Sequence, residues 1–190
     1  MKTTHLFLVL SIALVMNYHD LASQHYTVSK VQGTKHLVEL TKMINQAYKK
    51  VAWLKDNIKR TSVAELAYIV EHSNKTLYMC LDGQKICGAA LLDNDDEPGK
   101  LMLEMFTVHP DYQGKNIGTI LMRFIENEAV KTYHKHDLYL YVIPCMQERL
   151  VAYYKRNGFE VVLKKPYTLL SVVRPEYHDK MSLLLMRKKI

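Results

Sequence analysis

The run Leu101–Val108 passes, through His109-Pro110-Asp111-Tyr112-Gln113-Gly114-Lys115-Asn116-Ile117-Gly118, into Ile120, Leu121, Phe124, Ile125 and Glu128 at helical spacing. A buried strand that feeds directly into a helix commits the chain to mixed α/β layers. A glycine-containing turn at such a junction leaves the first N–H groups of the helix without partners, beside the positive end of the helix dipole. An anion is the natural occupant. The spacing excludes both GxxxxGK[ST] and GxGxxG. Taken alone, Gln113–Gly118 also reads as an ordinary strand-to-helix turn.

The remaining segments follow from periodicity. Tyr26–Val31 alternates as a strand, and Leu37, Leu40, Ile44, Ala47, Tyr48 and Val51 form a helical stripe after Gly33. Ser62-Val63-Ala64-Glu65 has the form of a capping box, opening a helix that runs to about His72. Strands are expected at Thr76–Leu81 and Ile86–Leu92, joined at Asp82-Gly83 as a hairpin, and at Leu101–Val108 after a turn containing Pro98-Gly99. Leu138–Ile143 is a strand stopped by Pro144, and a helix from about Gln147 to Asn157 ends at Gly158. Phe159–Leu163 is a strand, Lys164–Glu176 an irregular loop, and Lys180–Met186 a closing strand buried on both faces. This order makes one mixed α/β domain over residues 25–190.

Residues 1–23 stand apart. Lys2 precedes the apolar stretch Leu6–Met16, broken only by Ser11, and Ala22-Ser23 is small enough for a signal-peptidase cut. Two readings stay open: a secretory signal peptide, with export of the protein, or a hydrophobic N-terminal extension packed on the domain of a cytoplasmic protein. The stretch is shorter than the roughly 20 residues of a membrane span, so any membrane contact is expected only through this leader.

At 190 residues the chain can bury a core without staples. Its formal charge of +7 is scattered, which argues against a nucleic-acid partner and would suit a ligand with three phosphates, or simply a solvated surface. Cys80, Cys87 and Cys145 have no metal-ligand spacing and read as buried free thiols, although Cys80 and Cys87 could face each other across the hairpin. His109, His134, His136 and His178 form no second cluster that would complete a metal site, so none is expected. Asn74-Lys75-Thr76 is a glycosylation sequon of a kind frequent by chance.

Gln113–Gly118 resembles the Q/R-x-x-G-x-G/A pyrophosphate loop of the GNAT acetyltransferases, with Asn116 where the first family Gly falls and Gly118 at the last. Asn tolerates the left-handed backbone, so the exchange is cheap if the loop needs that geometry. Ala152-Tyr153-Tyr154-Lys155-Arg156-Asn157-Gly158-Phe159 resembles the family's Tyr, three residues, Gly-Phe motif. The resemblance implies an α/β fold with a mixed, mostly antiparallel seven-stranded sheet, splayed between strands 4 and 5 and flanked by four helices. It implies acetyl-CoA as co-substrate, bound in that opening, and transfer of its acetyl group to a primary amine of a small-molecule or peptide acceptor.

By the same resemblance Tyr154 maps onto the general acid that protonates the departing thiolate; as a residue it also reads as an amphipathic aromatic closing a core helix. Phe106 and Val108 would give backbone contacts to the cofactor, and Gln113, Gly114, Lys115, Asn116, Ile117 and Gly118 would cradle its pyrophosphate, largely through the main chain. Lys115 and Arg123 are phosphate contacts or plain surface charges. Gln147 stands where many members have an Asn touching the cofactor. Strict alternation puts Glu104 on the face of Phe106 and Val108, as a base for the amine or as a solvated strand carboxylate. A competing reading is a secreted CoA-binding or regulatory protein that keeps the fold without turnover. The acceptor and the oligomeric state are not legible in the sequence.

Overall fold

The computed structural model describes residues 26–190 except 50, 73, 95–98, 146 and 147. The leader expected at 1–23 and Gln147 therefore lie outside the described residues. Seven strands, β1 (Tyr26–Lys30), β2 (Thr76–Asp82), β3 (Lys85–Asp93), β4 (Leu101–Val108), β5 (Asp137–Val142), β6 (Glu160–Pro166) and β7 (Ser182–Lys189), form one sheet in the order β1-β2-β3-β4-β5-β7-β6. Neighbours are antiparallel except β4 and β5. Among the described residues four α-helices flank the sheet: α1 (Leu37–Tyr48), α2 (Val63–His72), α3 (Ile117–Lys131) and α4 (Glu148–Arg156).

The layers follow from the side-chain patterns. Leu37, Leu40, Met43 and Ile44 line one stripe of α1, and with Leu66 and Ile69 of α2 they bury Leu77, Ile86, Ala89 and Leu91 of β2 and β3. The opposite face holds Tyr78, Cys80, Ala90 and Leu92 under Ile117, Leu121 and Ile125 of α3, joined by Tyr154 and Phe159. With helices on both sides, β2 and β3 are almost continuously apolar and buried. At the start of α2, Ser62 Oγ accepts from Glu65 N at 3.1 Å, while the Glu65 carboxylate accepts from the Thr61 hydroxyl at 2.9 Å. One half of the expected capping box forms, and such a cap is worth about 1 kcal/mol. Cys80, Cys87 and Cys145 are buried free thiols, and the Cys87 thiol donates to the Cys80 carbonyl at 3.3 Å.

The C-terminal third departs from the expected pattern. The loop expected at Lys164–Glu176 begins inside β6, which runs on to Pro166, and then holds two 3-10 turns, Leu170–Val172 and Pro175–Lys180. β6 is an edge strand exposed along its whole length, so Lys164-Lys165-Pro166 carries no burial signal and its composition reads as loop. The closing strand is Ser182–Lys189; Leu185 and Met186 are buried, Lys189 is exposed and the rest is half-buried, because α1, α2 and α3 pack over β1 to β4. The first helix stops at Tyr48, and Val51 turns to a third cluster around Trp53, Val173 and Met181.

Candidate active site

β4 and β5 pair only at Leu101↔Leu138 and Met102↔Tyr139. Beyond Met102 no described strand pairs with β4 on that side, so the sheet opens and leaves main-chain donors and acceptors facing the gap. A β-bulge falls in the same stretch. Leu91 faces Glu104 and Ala89 faces Thr107, so Met105 and Phe106 together oppose Ala90, and Met105 takes φ 46°.

The bulge breaks the alternation on which the placement of Glu104 rested. Leu101, Leu103, Phe106 and Val108 pack on the α3 side, whereas Met105 packs on the α1–α2 side. Glu104 pairs with Leu91, a residue of the α1–α2 side, and therefore lies on the face opposite Phe106 and Val108. The extra residue turns two consecutive side chains to one face, which a two-residue period cannot anticipate.

The turn after β4 is built to expose main-chain N–H groups. His109 Nδ1 accepts from Asp111 N at 3.2 Å, Tyr112 donates to the Asp82 carboxylate at 3.0 Å, and the Lys115 ammonium sits 5.0 Å over the Tyr112 ring. Gly114 has φ 80° and Asn116 φ 66°, so Asn116 adopts the left-handed conformation that Asn tolerates better than other non-Gly residues. The N–H groups of Gly114, Asn116, Ile117 and Gly118 donate to no backbone carbonyl among the described residues. Ile117 contributes only its main chain here, since its side chain is buried in the core. Gln113 is exposed with Nε2 3.5 Å from the Val108 carbonyl, and Arg123 is exposed on α3.

α4 brings two tyrosines to this point. It ends in a Schellman arrangement, with Phe159 N donating to Tyr154 O and Gly158 N to Lys155 O, both at 3.0 Å, and Gly158 at φ 86°. Phe106 lies 6.4 Å from each of the Tyr153 and Tyr154 rings. Burial, with Tyr48 and Tyr153 nearby, pushes the Tyr154 phenol far above its ordinary range, so it stays a proton donor. Tyr153, which lies outside the Tyr, three residues, Gly-Phe spacing, aims its hydroxyl at Gly118: a Cβ there would stand 2.8 Å from Oη. That hydroxyl is buried with no partner among the described residues. A glycine in the first turn of a helix was the only sequence signal of this approach.

The mouth on the α1–α2 side joins segments distant in sequence. Leu54 bridges to Val173, Arg174 N donates to Trp53 O at 2.9 Å, and Arg174 binds Leu54 O at 2.9 Å and Asp56 at 2.6 Å. Among the described residues no group of His, Cys, Asp or Glu side chains is placed to hold a metal.

An open strand edge can pair with amide groups of a ligand, and main-chain N–H groups exposed at a helix start can receive an anion. Opening and cradle define the class as that of the GNAT-fold N-acetyltransferases, which use acetyl-CoA as co-substrate. Residues 38–159, more than half of the chain, match the Acetyltransferase (GNAT) family, and the chain belongs to it. An acetyltransferase of Salmonella typhimurium, solved with its cofactor acetyl-CoA, superposes with a TM-score of 0.67 over 87% of this chain and 94% of its own at 16% identity. The ribosomal-protein-S18-alanine N-acetyltransferase of Escherichia coli gives 0.63 over 87% and 94% at 18% identity. A chimera of the spermidine N-acetyltransferase of Vibrio cholerae gives 0.66 over 87% and 95% at 16% identity. At these identities the likeness is one of fold. No curated protein matches the sequence significantly.

Proposed function

We propose that the chain acetylates a primary amine of a small-molecule or peptide acceptor, with Tyr154 and Glu104 on opposite sides of the opened β4 edge. The observation that carries this reading is the bulge at Met105–Phe106. It turns Phe106 towards the α4 tyrosines and leaves Glu104 on the α1–α2 side, so a proton donor and a proton acceptor flank one stretch of open backbone.

Acetyl-CoA, when bound, supplies an activated acyl carbon and a thiol leaving group. Glu104 takes the proton that the acceptor nitrogen sheds as its bond to carbon forms, directly or through water. The Tyr154 hydroxyl donates to the sulfur as the carbon–sulfur bond breaks. A main-chain N–H of Phe106–Val108 polarises the carbonyl, and Gln113–Gly118 with Val108 hold the carrier. Positioned acids and bases typically give 10²–10⁴-fold; a thiolate leaves readily, so alignment of amine and carbonyl contributes more. The Escherichia coli neighbour is named for a ribosomal-protein alanine and the Vibrio cholerae neighbour for spermidine, so the fold alone does not choose an acceptor.

The test uses the full chain. Acetyl-CoA at 100 times its Kd should stabilise the fold by about 2.7 kcal/mol, a melting shift on the order of 5–10 °C for a chain of this size. Free thiol should then appear only when an amine is present. A melting shift without amine-dependent thiol release would leave a CoA-binding protein; no shift would remove the cofactor site itself.

A further inference from the structure

The acceptor mouth is lopsided in charge. Segments 51–61 and 164–181 carry seven Lys or Arg residues against Asp56, Glu176 and Asp179. Three of these cations are committed to structural contacts. Arg174 holds Asp56 and Leu54 O, the Lys55 ammonium donates to Ser171 O at 2.7 Å, and Lys165 binds the Tyr141 hydroxyl at 3.1 Å.

Arg60 is fixed in place but has no counter-charge. Its main chain is clamped from α1: Asn45 Oδ1 accepts from Arg60 N at 2.7 Å and from Thr61 N at 3.1 Å, and Asn45 Nδ2 donates to Thr61 O at 2.8 Å. Its guanidinium lies 5.6 Å over the Tyr48 ring, close enough to Tyr167 to oppose the upward pull of burial on that phenol. No carboxylate pairs with it among the described residues. Tyr48 lies under the Arg60 guanidinium and near enough to Tyr154 to contribute to the raised pKa of its phenol. The Trp53 indole Nε1, next to Tyr167 with ring centroids 6.2 Å apart, is buried with no partner among the described residues. The Arg60 guanidinium and the buried Trp53 indole are both donors.

We propose that Arg60 is the specificity-determining residue of the acceptor site and reads an anionic group, so that the acetylated amine belongs to a molecule that also carries a carboxylate or a phosphate. This rests on the acetyl-transfer reading and adds the substrate class to it. A guanidinium seated on an aromatic ring is weakly hydrated and presents a fork that matches either oxyanion. Glu104 then suits the amine end of the same molecule. A polyamine, with cations along its length, meets Arg60 and the surrounding lysines as like charges.

The experiment follows thiol release from acetyl-CoA by the full chain with matched probes: free amino acids against their carboxamides, glucosamine 6-phosphate against glucosamine, and spermidine. The anionic member of at least one pair should have the higher kcat/KM, with the favoured pair telling carboxylate from phosphate. Arg60→Gln should raise KM for that acceptor about 10- to 100-fold, leave its neutral partner and the acetyl-CoA melting shift unchanged, and erase the discrimination. Because Asn45 grips only the main chain at Arg60, the variant keeps the clamp; Arg60→Lys, which keeps the charge and loses the fork, should recover part of the affinity. Equal turnover of acid and amide, preference for spermidine, turnover confined to neutral amines, or an equal loss for both members of a pair in Arg60→Gln would each overturn the proposal while acetyl transfer stands. Failure of acetyl-CoA to shift the melting temperature would instead remove acetyl transfer and this proposal together.

Discussion

Adjacent in sequence, Tyr153 and Tyr154 project from α4 to different destinations. Tyr154 packs into the core against Phe159 and Phe106 and lies near Tyr48. Tyr154→Phe keeps that packing and removes one proton donor. Its kcat should fall on the order of 10-fold or more, within the range of acid catalysis, while the acetyl-CoA melting shift stays near that of the parent. An unchanged kcat would take Tyr154 out of the chemistry. Burial also links this residue to pH. A phenol whose pKa is raised in the fold binds its proton more tightly there than in the unfolded chain. Its contribution to stability is therefore whole below the ordinary phenol value of 10.0 and is lost as pH rises through the raised one. Melting temperature should fall above pH ~10, and less steeply in Tyr154→Phe. The Tyr, three residues, Gly-Phe spacing singles out Tyr154 in the sequence. Nothing in the spacing distinguished Tyr153, because its partner is a missing side chain.

That missing side chain belongs to the junction of two elements. α3 begins at Ile117 under the hydroxyl of Tyr153, and Gly118 is the residue that lets α4 come so close. Gly118→Ala sets two effects against each other. Helix propensity favours Ala by about 1 kcal/mol, while a Cβ 2.8 Å from Tyr153 Oη overpacks the contact at a cost of roughly 1–3 kcal/mol. The clash should prevail, lowering stability in urea and weakening the acetyl-CoA melting shift. In a Tyr153→Phe background the same substitution should turn neutral or stabilising; a penalty of equal size there would show that Tyr153 is not the obstacle. Helices and buried strands were readable from apolar spacing because one face of each is dry. The bulge was not, since Met105 is an ordinary apolar residue whose positive φ is imposed by pairing with β3. With it went the face of Glu104.

At the scale of the whole molecule, the sheet opens because β4 and β5 pair over two residues and diverge, and a third core joins the segments on the α1–α2 side. Trp53, Val173 and Met181 assemble it from the segment between α1 and α2 and the connection between β6 and β7. Two of the bonds that join these segments, Lys55 to Ser171 and Arg174 to Leu54, span 116 and 120 residues of sequence, beyond the reach of any local period. Only the resemblance to a family suggested that the sheet splays. Arg174 is the principal polar tie, with its Nε on Leu54 O and its terminal amine on Asp56. The Asp56 pair is exposed and contributes at most about 1 kcal/mol, whereas the bond to the carbonyl fixes the path of the backbone. Arg174→Ala should therefore loosen the mouth without dissolving the two main cores. Hydrogen exchange should quicken at 51–61 and 167–181 and stay slow in β2 and β3. KM for the acceptor should rise while acetyl-CoA keeps its melting shift, because Gln113–Gly118 lies on the other side of the opening. A parallel loss of cofactor binding would mean that the two sides fold as one unit, and that the acceptor wall supports the cradle as well as the substrate.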